Sequence, residues 1–461
     1  MSTLPIRAED SATLHAKRCI PAAICAVLLG CASTPPAPSS LAAALTNIAR
    51  FEQGPAYHER IVERAARRAR QSADWPMFRH DPARSDAQPG PMPQRLAMMW
   101  DRALPARSTA AVIAGERAFC ALPDAHKVVA LGLAKTAQPW EFTAGGVVDS
   151  PPTCRAGRLV FGCCDGSVYC LRASDGCLIW RFLAAPDARR VSVRGQSESV
   201  WPLHGSLIVD DSNIVYAAAG RNSAEGIWLY ALALATGDVL WQTSSVSTAA
   251  VEPFENSIMT SDGRHLLIGD RCFQAADGAP VTNPAARAAL LYAGRAGMLE
   301  NLAGSLTGAQ DNVEHLLWRY GSECGARLAF DQARTCGFLS MPRALAERIV
   351  PWFSAGGPPQ PHVNALFCAD ASGRRWVHSV PRYAVMKDML MAGGNIYLAV
   401  QWAERMGRLC VYTAATGAQI QWLPLGAVPA CNGLSAANGV LYIATEDGRL
   451  IKLAAPPEHD L

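Results

Sequence analysis

The chain has little net charge: 42 Lys and Arg stand against 39 Asp and Glu, leaving +3 over 461 residues. An excess so small and scattered is no electrostatic footprint for nucleic acid. No helix-turn-helix, zinc-finger or RNA-binding signature accompanies it, so nucleic acid is not an expected partner. Cys-x-x-Cys and Cys-x-x-Cys-His are both missing, which leaves structural zinc and covalent c-type haem without support. Gly-x-Ser-x-Gly, His-Glu-x-x-His and a Walker-type phosphate loop are missing too, and the ten His are isolated. His204, in Trp201-Pro202-Leu203-His204-Gly205, reads as a hydrogen-bonded residue at the start of a strand. On these grounds no catalytic and no metal-binding residue is expected.

What the sequence does contain is a repeat. A hydrophobic strand is followed by Asp-Gly or Thr-Gly and, about four residues on, by a tryptophan. The clearest copy runs from Gly166 through Asp175-Gly176 to Trp180; others run from Leu229 through Thr236-Gly237 to Trp241 and from Leu409 through Thr416-Gly417 to Trp422. Weaker copies lead to Trp140 and to Trp376, and Cys272–Gly278 keeps the turn but lacks the tryptophan. Arg327–Asp331 with Thr335–Phe338 reads as one more eroded copy. Asp-Gly between alternating apolar residues signals a hairpin, because the tight turn needs positive φ, which glycine adopts without a Cβ clash. Repetition at this period means a solenoid, propeller or array in which no unit buries its own core. Each Trp is large enough to pack between adjacent sheets, which is the role assigned here to Trp100, Trp140, Trp180, Trp241, Trp376 and Trp422.

The hairpin Val440–Leu453 ends without its tryptophan strand, while Arg95–Trp100 carries an orphan tryptophan before the first full unit. A strand at Trp100 is therefore expected to complete the C-terminal hairpin and close the ring. The fold class is all-β, a single β-propeller of about eight four-stranded blades, with seven possible. A helical insertion is expected at about 283–312, between degenerate blades.

The repeated Val-Tyr-x-Leu, Thr/Asp-Gly, Trp pattern resembles the quinoprotein-type propeller repeat. That family contains pyrroloquinoline quinone dehydrogenases and non-enzymatic relatives such as the lipoprotein of the outer-membrane β-barrel assembly machine. Asp74-Trp75-Pro76-Met77-Phe78-Arg79-His80-Asp81-Pro82-Ala83-Arg84-Ser85 resembles the opening signature of the non-enzymatic branch. The resemblance spans residues 74–453 and implies the fold far more than the activity.

The first residues give an address. Lys17-Arg18 precedes the apolar run Cys19–Leu29, too short to span a bilayer, and then Gly30-Cys31. Leu28-Leu29-Gly30-Cys31 resembles the bacterial lipobox, which makes 1–30 a signal peptide and Cys31 the acylated residue; the alternative is an ordinary cleaved peptide and a secreted soluble protein. Residues 31–73 are expected to be a Pro/Ser tether and a charged helical spacer covering about 41–72, with the propeller at 74–461. The expected location is the bacterial envelope, facing the periplasm and anchored to the outer membrane.

Of the 15 cysteines, those of the mature body sit singly on strand-like segments and read mostly as small buried hydrophobes. Cys163-Cys164 is the one pair with a cofactor reading, since several quinone enzymes place a vicinal disulfide against the quinone. Here the pair is expected on a strand running into its hairpin, with side chains on opposite faces. A quinone enzyme also needs calcium held by carboxylate and amide oxygens. The candidate acids Asp149, Glu198, Asp210, Asp211, Glu252 and Glu255 show no such spacing. The expected function is therefore non-catalytic binding or scaffolding of another envelope protein, without a cofactor. The alternatives are a periplasmic dehydrogenase using pyrroloquinoline quinone with calcium, and a carbohydrate- or polymer-binding module.

Overall fold

The computed structural model describes residues 50–59, 74–193, 195–221, 225–245, 259–268, 271–281, 326–343, 362–370, 372, 375–380 and 384–457, all within one compact unit, Ala49–Leu461. Among them the protein is all-β with essentially no helix, and its arrangement is propeller-like. Three strands come early and are lent to sheets built later: β1 (Phe51–Gln53), β2 (Ala87–Gln88) and β3 (Ala97–Ala103).

Antiparallel sheets then follow in chain order. The first contains β4 (Val112–Ala114), β5 (Arg117–Leu122), β6 (Lys127–Gly132) and β7 (Trp140–Thr143). The second contains β8 (Thr153–Arg155), β9 (Arg158–Gly162), β10 (Ser167–Arg172) and β11 (Leu178–Leu183), with β1 added outside β11. A separate hairpin, β12 (Arg190–Val193) with β13 (Gln196–Ser199), precedes the third sheet, β14 (Ile208–Val209), β15 (Ile214–Ala219), β16 (Ile227–Ala233) and β17 (Val239–Ser245). The fourth has β18 (Met259–Ser261), β19 (His265–Ile268) and β20 (Arg271–Gln274). The fifth has β21 (Ala326–Phe330), β22 (Arg334–Pro342), β23 (His362–Asp370) and β24 (Arg375–Ser379). The sixth has β25 (Val385–Ala392), β26 (Asn395–Ala403), β27 (Met406–Thr413) and β28 (Gln419–Pro424), flanked by β2. The seventh has β29 (Pro429–Ala437), β30 (Val440–Thr445) and β31 (Arg449–Ala454), completed by β3. In that last pairing Trp100 lies opposite Lys452.

The structure corrects two expectations. The eroded copy at 327–338 and the Trp376 unit are one sheet, because Asp331–Arg334 is merely its β21–β22 turn. The described residues make seven such sheets, the lower of the two blade counts that the turns suggested. Phe51–Gln53, within the helix expected over 41–72, is a strand instead and pairs antiparallel with Phe182, Arg181 and Trp180 of β11. Among the described residues the β12–β13 hairpin has no counterpart in the other repeat units. Cys31, the signal and the insertion at 283–312 lie outside the described residues.

The core is a set of layers between neighbouring sheets, which explains why the strands are apolar on both faces. In β10, Val168 and Cys170 join the layer shared with the third sheet, while Tyr169 and Leu171 join the layer shared with the first. Alternation with period two thus serves two cores at once. The first strands of the sheets succeed one another from β21 through β25, β29, β4, β8 and β14 to β18.

The tryptophans lock each sheet to the next. Trp180 is fully buried on β11, and its Nε1 donates to Leu234 O of the third sheet at 3.1 Å. Trp140 donates likewise to Ala173 O at 3.1 Å, Trp241 to Ala275 O at 2.9 Å and Trp376 to Ala414 O at 3.0 Å. Each indole lies on the turn glycine of the receiving sheet. At Gly237, with φ +75°, a Cβ would sit 2.8 Å from a Trp180 ring atom, so both the backbone conformation and the close approach require glycine. Trp422 differs, being 55% exposed. Its neighbour is the seventh sheet, whose outer strand β3 comes from the start of the chain, so no β31–β3 turn exists to receive it. Trp100 is half-buried beneath Arg102, whose Cζ lies 4.5 Å from the ring centroid.

Trp180→Ala is expected to lower unfolding free energy by about 3–5 kcal/mol, the cost of truncating a buried aromatic, whereas Trp422→Ala should change it by no more than about 0.5 kcal/mol. Urea denaturation of the two variants beside the parent checks this. Equal losses would contradict the docking role.

Candidate functional site

Two constellations carry the unusual chemistry of the molecule. The first is built on Asp74–Gln88, the segment whose sequence stood out before the first sheet. It bonds to strands of six of the seven sheets and to the residues leading into the third. Trp75 exchanges both backbone hydrogen bonds with Ile113 of β4 at 2.9 Å, and Pro76 O accepts from Cys154 N of β8 at 2.7 Å. Pro82 O accepts from Ser261 N of β18, Ser85 O from Phe330 N of β21 and Asp86 O from Met391 N of β25, each at 2.8 Å. Arg84 Nη2 reaches Ser206 O at 2.8 Å in the run into β14, and Asn438 Nδ2, after β29, donates to Asp74 Oδ1 at 3.1 Å. β2 then pairs parallel with β25.

Holding this course bends the backbone. Arg79, His80, Arg84 and Asp86 have φ of 56°, 78°, 56° and 51°. Non-glycine residues in the left-handed region cost about 1–3 kcal/mol each and persist where the surroundings over-determine them. The surroundings do so here. Arg84 is 1% exposed and its guanidinium donates to Phe78 O, Ser206 O, Leu207 O and Met259 O. Burial lowers its pKa to about 9, which still leaves it charged at neutral pH.

Beside it lies a buried ionic cluster. Asp388 bonds Arg327 and the amides of Met389 and Leu434, both at 2.7 Å. Asn432 Oδ1 accepts from Arg327 and from Arg79, the latter at 3.4 Å. Asp86 Oδ2 lies 3.3 Å from Arg79 Nε and 3.8 Å from Arg327 Nη1. Burial raises the pKa of both carboxyls against the pull of the two guanidiniums.

The second constellation forms at the opposite ends of the strands from the turns that receive the tryptophans, because β10 separates the turn 163–166 from the turn 173–177. Cys163 and Cys164 are not on a strand, as expected, but follow the end of β9 at Gly162 and make its turn. Both are buried free thiols, and among the described residues Cys336–Cys368, a directly opposed pair on β22 and β23, is the disulfide. Cys163 joins the layer toward the first sheet. Cys164 Sγ instead meets His204 Nδ1 at 3.7 Å and Asp149 Oδ2 at 3.9 Å, and these two are 2.5 Å apart. Burial, reinforced by Asp149 and Glu198, drives the Cys164 thiol far above its usual range. Glu198, on β13, pairs with Arg221 nearby.

Of the other acids, Asp210 caps its own turn at Ser212 N and Ile214 N, Asp211 pairs with Arg155, and Glu252 and Glu255 lie outside the described residues. Arg79, Arg84, Asp86, Arg327, Asp388 and Asn432 escaped sequence reasoning. Their partners lie in different sheets, and the sequence marked only Arg79 and Arg84, inside the stretch 74–85 that resembles a family signature.

Asp388→Ala should destabilise the fold by about 3–5 kcal/mol, because Arg327 would stay buried without its partner. Asp211→Ala, at an exposed pair, should leave the denaturation midpoint unchanged; comparable shifts in the two would show that the cluster is not structural.

Residues 93–283 match the family model described as outer membrane protein assembly factor BamB. No curated protein matches by sequence. Among solved structures, BamB from Moraxella catarrhalis aligns over 79% of this chain and 99% of its own at 14% identity, TM-score 0.45. A europium-containing methanol dehydrogenase aligns over 85% of this chain and all of its own at 12% identity, TM-score 0.55. A quinohemoprotein alcohol dehydrogenase from Comamonas testosteroni aligns over 91% and 85% at 13% identity, TM-score 0.42. The chain is similar to quinoprotein-like β-propeller proteins and resembles BamB.

Proposed function

We propose that this propeller-like protein is a non-catalytic envelope lipoprotein that binds another envelope protein, as the matched description of an outer-membrane assembly factor suggests. In this reading Cys31 carries the acyl chains, residues 1–30 are removed, and the pairing of β3 with β31 closes the ring. The observation that carries it is the course of Asp74–Gln88. A funnel between radially arranged sheets is a natural pocket for a flat acid, but the inner strands here are bonded to the chain's own segment. The oxygens of Asp388 and Asn432 are taken by Arg327, Arg79 and backbone amides, and Asp86 Oδ2 lies within 4 Å of both guanidiniums. Bound pyrroloquinoline quinone with calcium would have to displace those partners, so the residues present do not fit it. The alternative sugar-binding role is disfavoured because Trp140, Trp180, Trp241 and Trp376 are engaged between sheets. Partner contact then falls to loops on a rigid body.

Expressed at full length in a diderm host, the parent should fractionate with the outer membrane and Cys31→Ala with the soluble periplasm, since more than one acyl chain is needed for stable attachment. The purified protein should neither retain pyrroloquinoline quinone on dialysis with calcium nor reduce a dye with alcohols or sugars. Dye reduction requiring both quinone and calcium would establish the dehydrogenase reading instead, and a membrane-bound Cys31→Ala would remove the anchor.

A further inference from the structure

We propose that Asp149, Cys164 and His204 form a binding site for a zinc ion, with a fourth position open to water. The three donors come from three separate loops, so no spacing in the sequence could show them together. Their ligand atoms all lie within 4.8 Å of one another.

The separations fit the ion. Tetrahedral zinc, with about 2.3 Å to sulfur and about 2.0–2.1 Å to nitrogen or oxygen, sets sulfur about 3.6 Å from each lighter ligand. Cys164 Sγ stands 3.7 Å from His204 Nδ1 and 3.9 Å from Asp149 Oδ2. The remaining edge, His204 to Asp149, is 2.5 Å and opens to about 3.4 Å when a metal replaces the shared proton. The donor set of one thiolate, one imidazole and one carboxylate suits zinc better than calcium or magnesium, which take oxygen alone.

The loops are also fastened to one another at the ligands. Cys164 N donates to Val147 O at 2.8 Å, two residues before Asp149. Leu203 N donates to Cys163 O at 3.2 Å, one residue before His204, and Ser199 N to Cys164 O at 2.8 Å. Each ligand therefore sits next to an anchor that holds its loop on the Cys163–Cys164 turn. Preorganisation of this kind is what a metal site needs from its supporting shell. The thiol is buried, while the side chains of His204 and Asp149 are 30% and 32% accessible, so an ion has a path in and water a path to the fourth position. With three protein ligands and one open position, the arrangement is that of a zinc ion able to take a further donor from a partner or small molecule.

The full-length protein, purified without a histidine tag and kept reduced, tests the proposal with zinc and a competing chelator. It should bind one zinc per chain. Cys164→Ser and His204→Gln should each weaken binding by on the order of 100-fold or more, beyond what losing an outer-shell partner costs, while Cys163→Ser binds as the parent does. His204 is partly exposed, so His204→Gln keeps the fold, which its melting curve verifies. Cobalt in place of zinc should give the parent a thiolate-to-metal charge-transfer band that Cys164→Ser lacks. A parent that holds no stoichiometric zinc, or variants that bind as the parent does, would overturn the assignment.

Discussion

Seven sheets each present the free edge of a first strand, and the backbone amides along those edges need partners. One segment, Asp74–Gln88, supplies partners to six of them and to the residues leading into the third sheet, and the rest of the described structure depends on that arrangement. Carbonyls of Pro76, Pro82, Ser85 and Asp86 take amides from four different sheets. Arg84 offers donors where carbonyls face inward instead. Left-handed conformations at four non-glycine residues are the local cost, and the buried cluster of Arg79, Asp86, Arg327, Asp388 and Asn432 ties the segment to the fifth, sixth and seventh sheets.

Inter-sheet packing was legible in the sequence because it is written locally. A turn glycine and a tryptophan a few residues on are one hairpin's worth of chain, and the same two groups form the lock between neighbouring sheets. The signal fails where the lock is incomplete. Trp422 keeps the motif yet stays exposed, since its receiving sheet is completed by β3. The turn at Asp331–Arg334 resembles a unit of its own yet is internal to the fifth sheet. The strand at Phe51–Gln53 hides among charged residues that read as a helix, because three residues carry no period.

The candidate sites were less legible for the opposite reason, since they are assembled from distant positions. Asp149, Cys164 and His204 were each noticed singly, but nothing in a linear sequence places a loop before β8, a turn after β9 and a loop before β14 side by side. The ionic cluster joins residues from 79 to 432. Only the resemblance of 74–85 to a family signature marked one end of it. In the proposed reading partner contact falls to the loops, and among those described the Cys163–Cys164 turn is bonded to the β12–β13 hairpin through Ser199 N and Cys164 O.

Native-state hydrogen exchange tests the central role of the segment most directly. The amides of Cys154, Ser261, Phe330 and Met391, which end on the segment's carbonyls, should exchange only through global unfolding, with one shared free energy equal to that from denaturation. Exchange of these four through a low-energy local opening, while the amides of β10 and β26 stay protected, would contradict the account.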